Sequence, residues 1–330
     1  VCDRDIFDVR AGSFHGEKVS QCLSGNLRVM ETRPLAPFGR LLTAIITPFE
    51  GEGSVDYAAF WKLVRHLRDN ASEGIVVAGT TGESPTLSKP EKIALFRAGV
   101  DAAKGKMRVV AGVGTYDTRE SVALAEAAAE AGVDGLMAVT PYYSKPPQRG
   151  IVEHMTAIAD ATELPLMLYN IPGRTATLIE IDTLVELAHH PRIVAVKDAV
   201  DDIEWSARQI KELPEGFAVY SGSDGMTKDL VAANAVGVVS VTAHLAGREI
   251  AAMVEAVVDG DWDAANRLHD LLAPLSSALF AEPSPMPLKG ALNAFWDEVG
   301  DPRLPLVRAQ DATIEAVGKA LEPIVEHRQR

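Results

Sequence analysis

Residues 192–200 read RIVAVKDAV. From Ile193 to Val196 every residue is apolar, so neither face of an extended strand here suits water. Such runs belong to sheets covered on both sides. The run then meets Lys197, a residue type almost never fully buried without a partner. Alternation puts Ile193, Ala195 and Lys197 on one face and Val194, Val196 and Asp198 on the other. The adjacent carboxylate is therefore a poor ion-pair partner. From the strand alone three readings stay open: an exposed strand end, a buried ion pair, or an amine kept neutral for chemistry. Desolvation disfavours a charged ammonium, and the neutral amine is the nucleophile that condenses with a carbonyl to form an imine.

The same kind of run recurs along the chain: LLTAIIT (41–47), GIVVAG (74–79), RVVAGV (108–113), GLMAVT (135–140), LPLMLYN (164–170), FAVYSG (217–222) and VGVVSVT (236–242). Between these runs lie amphipathic patterns such as DYAAFWKLVRHLRDN, SVALAEAAAEAG and MTKDLVAANAVG. Asp117 and Thr118 stand where a helix start needs a cap, and Gly132 where the helix ends. Apolar strands alternating with helices predict an α/β protein, a (β/α)8 TIM barrel over residues 39–245. An open doubly wound sheet is the alternative, weakened because no G-x-G-x-x-G joins the first strand to the first helix. GVGTYD (112–117) has two glycines of that motif but follows the third strand. After about residue 245 strands cease, and 246–330 reads as a C-terminal helical bundle. Residues 1–38 show neither period, end in TRPLAPFG, and are expected to form a disordered leader, with Met30 a candidate initiator.

Of the 330 residues, 47% are hydrophobic and 24% charged, an ordinary globular composition. A net charge of −14 argues against nucleic-acid binding, which needs a clustered basic face. It leaves room for a small anionic substrate, since the local field of a cleft can oppose the global charge. No run approaches the ~20 apolar residues of a membrane span, and the acidic first residues lack a signal-type apolar core. Cys2 and Cys22 are the only cysteines, which gives no disulfide framework and little basis for zinc. A cytoplasmic protein without metal or cofactor is expected.

Active sites of such barrels sit at the C-terminal ends of the strands. After the second strand GTTGES places Thr80, Thr81 and Glu83 on a glycine-flanked turn, suited to a carboxylate or to simple capping. After the fourth, TPYYSKPPQRG holds Tyr142 and Tyr143 among prolines, an arrangement that equally suits packing or an oligomer contact. The fifth ends in LYNIPGRT, with Tyr169 able to deliver a proton and Arg174 able to grip a carboxylate. A structural hydroxyl and a surface arginine are the plainer alternative. SGSDG after the seventh strand leaves space rather than filling it.

GTTGES (79–84), TPYYSKPP (140–147), YNIPGRT (169–175), VAVKDA (194–199) and VVSVTAH (238–244) together resemble the dihydrodipicolinate synthase family. That family lies within the pyruvate-dependent class I aldolases, which also include N-acetylneuraminate lyase. The likeness runs from about Gly39 into the C-terminal helices, including PSPMPLKGAL and DPRLPLV. It implies a Schiff base between Lys197 and pyruvate, with Tyr169, Thr80 and Tyr143 relaying protons. It implies that Thr81 holds the pyruvate carboxylate, that Arg174 binds the carboxylate of L-aspartate 4-semialdehyde, and that Gly222 and Val239 line the pyruvate pocket. In the family the tyrosine at position 143 enters the neighbouring subunit's site, so a homotetramer built as a dimer of dimers is implied. Two departures stand out. Ser223 occupies a position that is often Asp in SGDD. Where lysine-inhibited relatives carry an Asn and histidines, this chain offers Tyr116, Lys89 and Lys92, implying weak or absent lysine feedback. The rival readings are a sialic-acid or 2-keto-3-deoxy-sugar lyase and a catalytically silent regulatory paralogue. Thr81 and Arg174 disfavour the first, and an intact relay disfavours the second.

Overall fold

The computed structural model describes residues 35–329. Eight parallel strands close into a barrel: β1 (Leu41–Ala44), β4 (Gly74–Val77), β5 (Arg108–Gly112), β6 (Gly135–Val139), β7 (Leu166–Asn170), β8 (Ile193–Asp198), β9 (Ala218–Ser221) and β10 (Gly237–Ser240). Each pairs with its sequence neighbour, and β10 closes onto β1 through Leu41↔Val238 and Thr43↔Ser240. This is a TIM barrel, and the open-sheet alternative falls away. Outside the barrel, β2 (Phe49–Glu50) and β3 (Ser54–Val55) form a small antiparallel hairpin, too short to leave a periodic signal in sequence.

The barrel helices are α1 (Tyr57–Asp69), α2 (Lys89–Ala103), α3 (Thr118–Glu130), α4 (Gln148–Asp160), the single turn α5 (Pro172–Thr175), α6 (Ile181–Leu187), α7 (Ile203–Glu212) and α8 (Thr227–Ala232). Their starts follow from side chains that satisfy orphan N–H groups. Asp117 accepts from Arg119 and Glu120, and Ser88 with Glu91 forms a reciprocal capping box. Strand alternation divides the apolar residues into two layers. Leu41, Ile75, Val109, Leu136, Leu168 and Val196 face the helices. Leu42, Val76, Val110, Met167, Ala195 and Val239 face inward. Phe38, the last residue of the expected leader, belongs to this inner layer and is 1% exposed. Residues 1–34 of that leader lie outside the described residues.

Four further helices follow: α9 (Ala243–Asp259), α10 (Trp262–Leu279), α11 (Met286–Phe295) and α12 (Asp311–Gln329). The expected boundary at 245/246 falls inside α9, where Ala246 (φ −136, ψ 39) kinks the helix. These helices pack back on the barrel in one compact unit. His244, fully buried in α9, is one tie: its Nδ1 donates to Val241 O (2.8 Å) and its Nε2 accepts from Ile46 N–H (3.2 Å). Both ring nitrogens are thus committed to the neutral tautomer, and burial pushes the imidazole down to about 4. The native state therefore refuses a proton that the unfolded chain takes below about 6.5. The stabilisation is complete above pH ~6.5 and is lost as pH falls toward 4, on the order of 3 kcal/mol. His244→Gln should flatten the pH dependence of urea unfolding across that window. An unchanged slope would contradict the assignment. Among the described residues no helix is long and apolar enough to cross a membrane.

Candidate active site

Lys197 is the penultimate residue of β8, and its side chain points inward, above Ala195. It is 4% exposed, which removes the exposed-strand-end reading. Asp198 points the other way, accepting from Val200 N–H (3.0 Å) and Gln209 Nε2 (3.1 Å), which removes the adjacent carboxylate as its ion partner. Burial pushes the Asp198 carboxyl up, opposed by these hydrogen bonds. What lies against the amine is an aromatic ring: Lys197 Nζ sits 4.3 Å from the centroid of Tyr169. The sheet fixes this, because Tyr169 and Lys197 are direct register partners across β7 and β8. On the other side Lys197 is register partner to Tyr220 of β9. Tyr169 is itself 4% exposed, and its carbonyl accepts from the Thr140 N–H and hydroxyl, both at 3.0 Å. A primary amine and a phenol in contact, shielded from bulk water, can form an imine and move a proton beside it.

The other expected residues fall at the same end of the barrel. Thr80 and Thr81 lie on the turn that leaves β4, Thr81 buried and Thr80 half-buried. Gly222 follows β9 and donates its N–H to Asp198 O at 2.6 Å. A Cβ there would come within 2.8 Å of that oxygen, so only glycine lets β9 pass this close to the strand of Lys197. Val239 is in β10, 1% exposed and inward-facing. Arg174 sits exposed on α5, directly past β7. Its loop is stapled by Asn170, whose side chain donates to Ile179 O and accepts from Ile179 N–H, both at 3.0 Å.

Tyr143 is the exception. It is 93% exposed with a left-handed backbone (φ +71), and so is not brought into contact with the buried Lys197–Tyr169 pair of its own chain. Its neighbour Tyr142 packs edge-on against Tyr116, with ring centroids 5.3 Å apart. Two adjacent tyrosines thus split between packing and projection, which sequence could not assign.

At the Ser223 departure the chain is held by its neighbours. The Ser223 backbone carbonyl accepts from Ser221 Oγ and Thr227 Oγ1, and the neighbouring Asp224 accepts from the N–H groups of Val241 and Thr242 and from Ser240 Oγ. Sequence reading treated SGSDG as open space and missed Asp224 as the brace joining the ends of β9 and β10. It also passed over Asn170, whose only signal was an amide beside the strand-ending tyrosine. Among the described residues no group of three or more His, Cys, Asp or Glu side chains could hold a metal ion.

Comparison with known proteins agrees with this geometry. A model described as the dihydrodipicolinate synthetase family matches residues 37–324. A 4-hydroxy-tetrahydrodipicolinate synthase of Cyanothece sp. is 46% identical over 289 residues, covering 87% of this chain and 98% of that protein. Among solved structures, a dihydrodipicolinate synthase of Bacillus anthracis superposes with a TM-score of 0.84 at 43% identity, covering 86% of this chain and 98% of that one. The enzyme of Cyanidioschyzon merolae with lysine bound gives 0.86 at 42%, covering 88% and 99%. The chain belongs to the dihydrodipicolinate synthetase family, with its barrel, its strand-end lysine and all but the last turn of its C-terminal helices within the matched span.

Proposed function

We propose that this chain is a 4-hydroxy-tetrahydrodipicolinate synthase, condensing pyruvate with L-aspartate 4-semialdehyde through a Schiff base on Lys197, a step of lysine and diaminopimelate biosynthesis in the cytoplasm. The observation that carries the reading is the Lys197–Tyr169 contact at the buried C-terminal end of the barrel. The Lys197 amine adds to the pyruvate ketone and water leaves, giving an imine. The imine acidifies the methyl group, whose proton loss gives an enamine. The enamine carbon attacks the aldehyde, and the new alkoxide takes a proton. The amino group of the semialdehyde portion then attacks the imine carbon, closing the ring and expelling Lys197 as the free amine. Tyr169, whose ring lies against the amine, carries protons at the imine, with Thr80 continuing the relay. Thr81 holds the pyruvate carboxylate by its hydroxyl and N–H, beside Gly222 and Val239. Arg174, exposed at the entrance, receives the carboxylate of the second substrate as a bidentate fork.

The exposure of Tyr143 supports an assembly in which it completes the relay of a second copy. A dimer is then the smallest competent unit, and a homotetramer of two such dimers the full assembly. Incubation with pyruvate and borohydride, followed by peptide mapping, tests the central claim. A mass adduct on Lys197 is expected, and its absence would sink the aldolase reading. Consumption of aspartate semialdehyde in a coupled assay then separates the synthase from a sugar-acid lyase or a silent paralogue.

Feedback by lysine should be weak. Lys92, 6% exposed, already brings an ammonium group beside Glu120, and burial pushes its pKa down. Another cation in this neighbourhood meets like charge. Titration of the condensation rate with lysine should give no half-inhibition at sub-millimolar concentration, and such inhibition would refute the expectation.

A further inference from the structure

The turn carrying Thr80 and Thr81 is held in an unusual backbone. Ala78 (φ +53) before it and Glu83 (φ +56) after it are both left-handed, although neither is glycine. A residue with a Cβ loses roughly 1–2 kcal/mol in that region, and such conformations persist only where the surroundings over-determine them. On the first side the room comes from Gly112, where a Cβ would lie 2.5 Å from Ala78 O. Across the turn Glu83 N–H donates to Thr80 O (3.0 Å) and the Thr47 hydroxyl donates to Gly82 O (2.7 Å).

The second side is held by charge. Glu83 Oε1 lies 2.7 Å from Lys289 Nζ, with both side chains essentially inaccessible to water. Glu83 Oε2 accepts the Arg303 N–H at 2.8 Å. Lys289, from α11, also donates to Asp301 O (3.3 Å) and lies 4.0 Å from the Phe49 ring centroid. Burial pushes its ammonium down to about 8, against the pull of Glu83. The Arg303 guanidinium locks the rim by bonding Gly53 O, Thr86 O and Glu91. A fully buried ion pair is a poor source of stability, because desolvation of two ions offsets their attraction. Its best-attested use is to fix one geometry among several.

We propose that Glu83 and Lys289 are positioning residues of the active site: their buried ion pair holds the left-handed turn so that Thr81 faces the pyruvate carboxylate and Thr80 the proton relay. This rests on the pyruvate reading above. Neither residue touches substrate. Lys289 acts through Glu83, and Glu83 through the backbone of the turn.

The test is the pyruvate concentration giving half-maximal borohydride trapping at Lys197, measured on the full chain alongside steady-state rates and thermal stability. Glu83→Gln and Lys289→Met should each raise that concentration by about 10- to 100-fold, with a smaller loss in kcat at saturating pyruvate. Glu83→Asp, which keeps the charge on a shorter arm, should raise it by about three- to tenfold, less than Glu83→Gln, and it serves if either neutral variant is insoluble. The double variant Glu83→Gln/Lys289→Met leaves no unpaired ion. It should regain thermal stability without regaining pyruvate saturation. Recovery of both together would reduce the pair to a stability element and overturn the proposal, as would half-saturation within about twofold of wild type in the single variants or in Glu83→Asp. Absence of any adduct in the unaltered protein would instead overturn the pyruvate reading and the proposal with it.

Discussion

Lys197→Arg is expected to abolish condensation, lowering kcat/KM by about 10⁴- to 10⁶-fold, while the barrel still folds. Arginine keeps a positive charge and most of the side chain's length but offers no neutral amine, because guanidinium does not deprotonate in proteins. The substitution therefore separates two roles the position could have. If Lys197 served only as a cation steering a carboxylate, arginine would retain much of the activity. If it forms the imine, the enamine never appears and only the uncatalysed background remains. Lys197 is 4% exposed, with its amine over the Tyr169 ring, so the larger head group also crowds that ring. For this reason Lys197→Met, close in volume and uncharged, belongs in the same experiment. Both variants should melt cooperatively, give no borohydride adduct with pyruvate, and fail in the coupled assay. Residual activity within about a hundredfold of wild type in Lys197→Arg would rule out the Schiff-base role.

The barrel was legible because its strands are covered on both faces, and such strands leave continuous apolar runs that survive without alignment. The inward face of β8 was not given by those runs, since both faces are apolar below Lys197. It was resolved by register, which sets Lys197 between Tyr169 and Tyr220. The candidate site was legible where a polar residue ends a strand, as for Tyr169, or comes within a few residues of a strand end, as for Thr80, Thr81 and Arg174. It was not legible where the chemistry depends on long-range closure. Glu83 was quoted as part of a turn, but its partner Lys289 comes from a helix that folds back across the barrel end. Nor could spacing tell Tyr142 from Tyr143, because one packs on Tyr116 and the other projects from its own chain.

Phe38 was assigned to a leader because residues 1–38 show neither period and end in TRPLAPFG, and the structure gives it the opposite character. Its ring lies at the N-terminal end of the barrel, where β4 and β6 begin with Gly74 and Gly135. A Cβ on Gly135 would meet the Phe38 ring at 2.4 Å, and one on Gly74 would meet its carbonyl oxygen at 3.1 Å. The two glycines are the socket and the ring is the plug. Phe38 N–H then donates to the Tyr220 hydroxyl at 3.2 Å, and burial pushes that phenol well above its usual range. Removing the ring leaves a cavity at the floor of the inner layer, next to residues that cannot relax into it without moving strands. Phe38→Ala should therefore cost about 3–5 kcal/mol in unfolding free energy, seen as a lower urea midpoint at an unchanged slope. Half-saturation by pyruvate should stay near wild type, because the plug and the site lie at opposite ends of the barrel. A loss below about 1 kcal/mol would place Phe38 with ordinary surface positions and return the start of the folded chain to residue 39 or beyond.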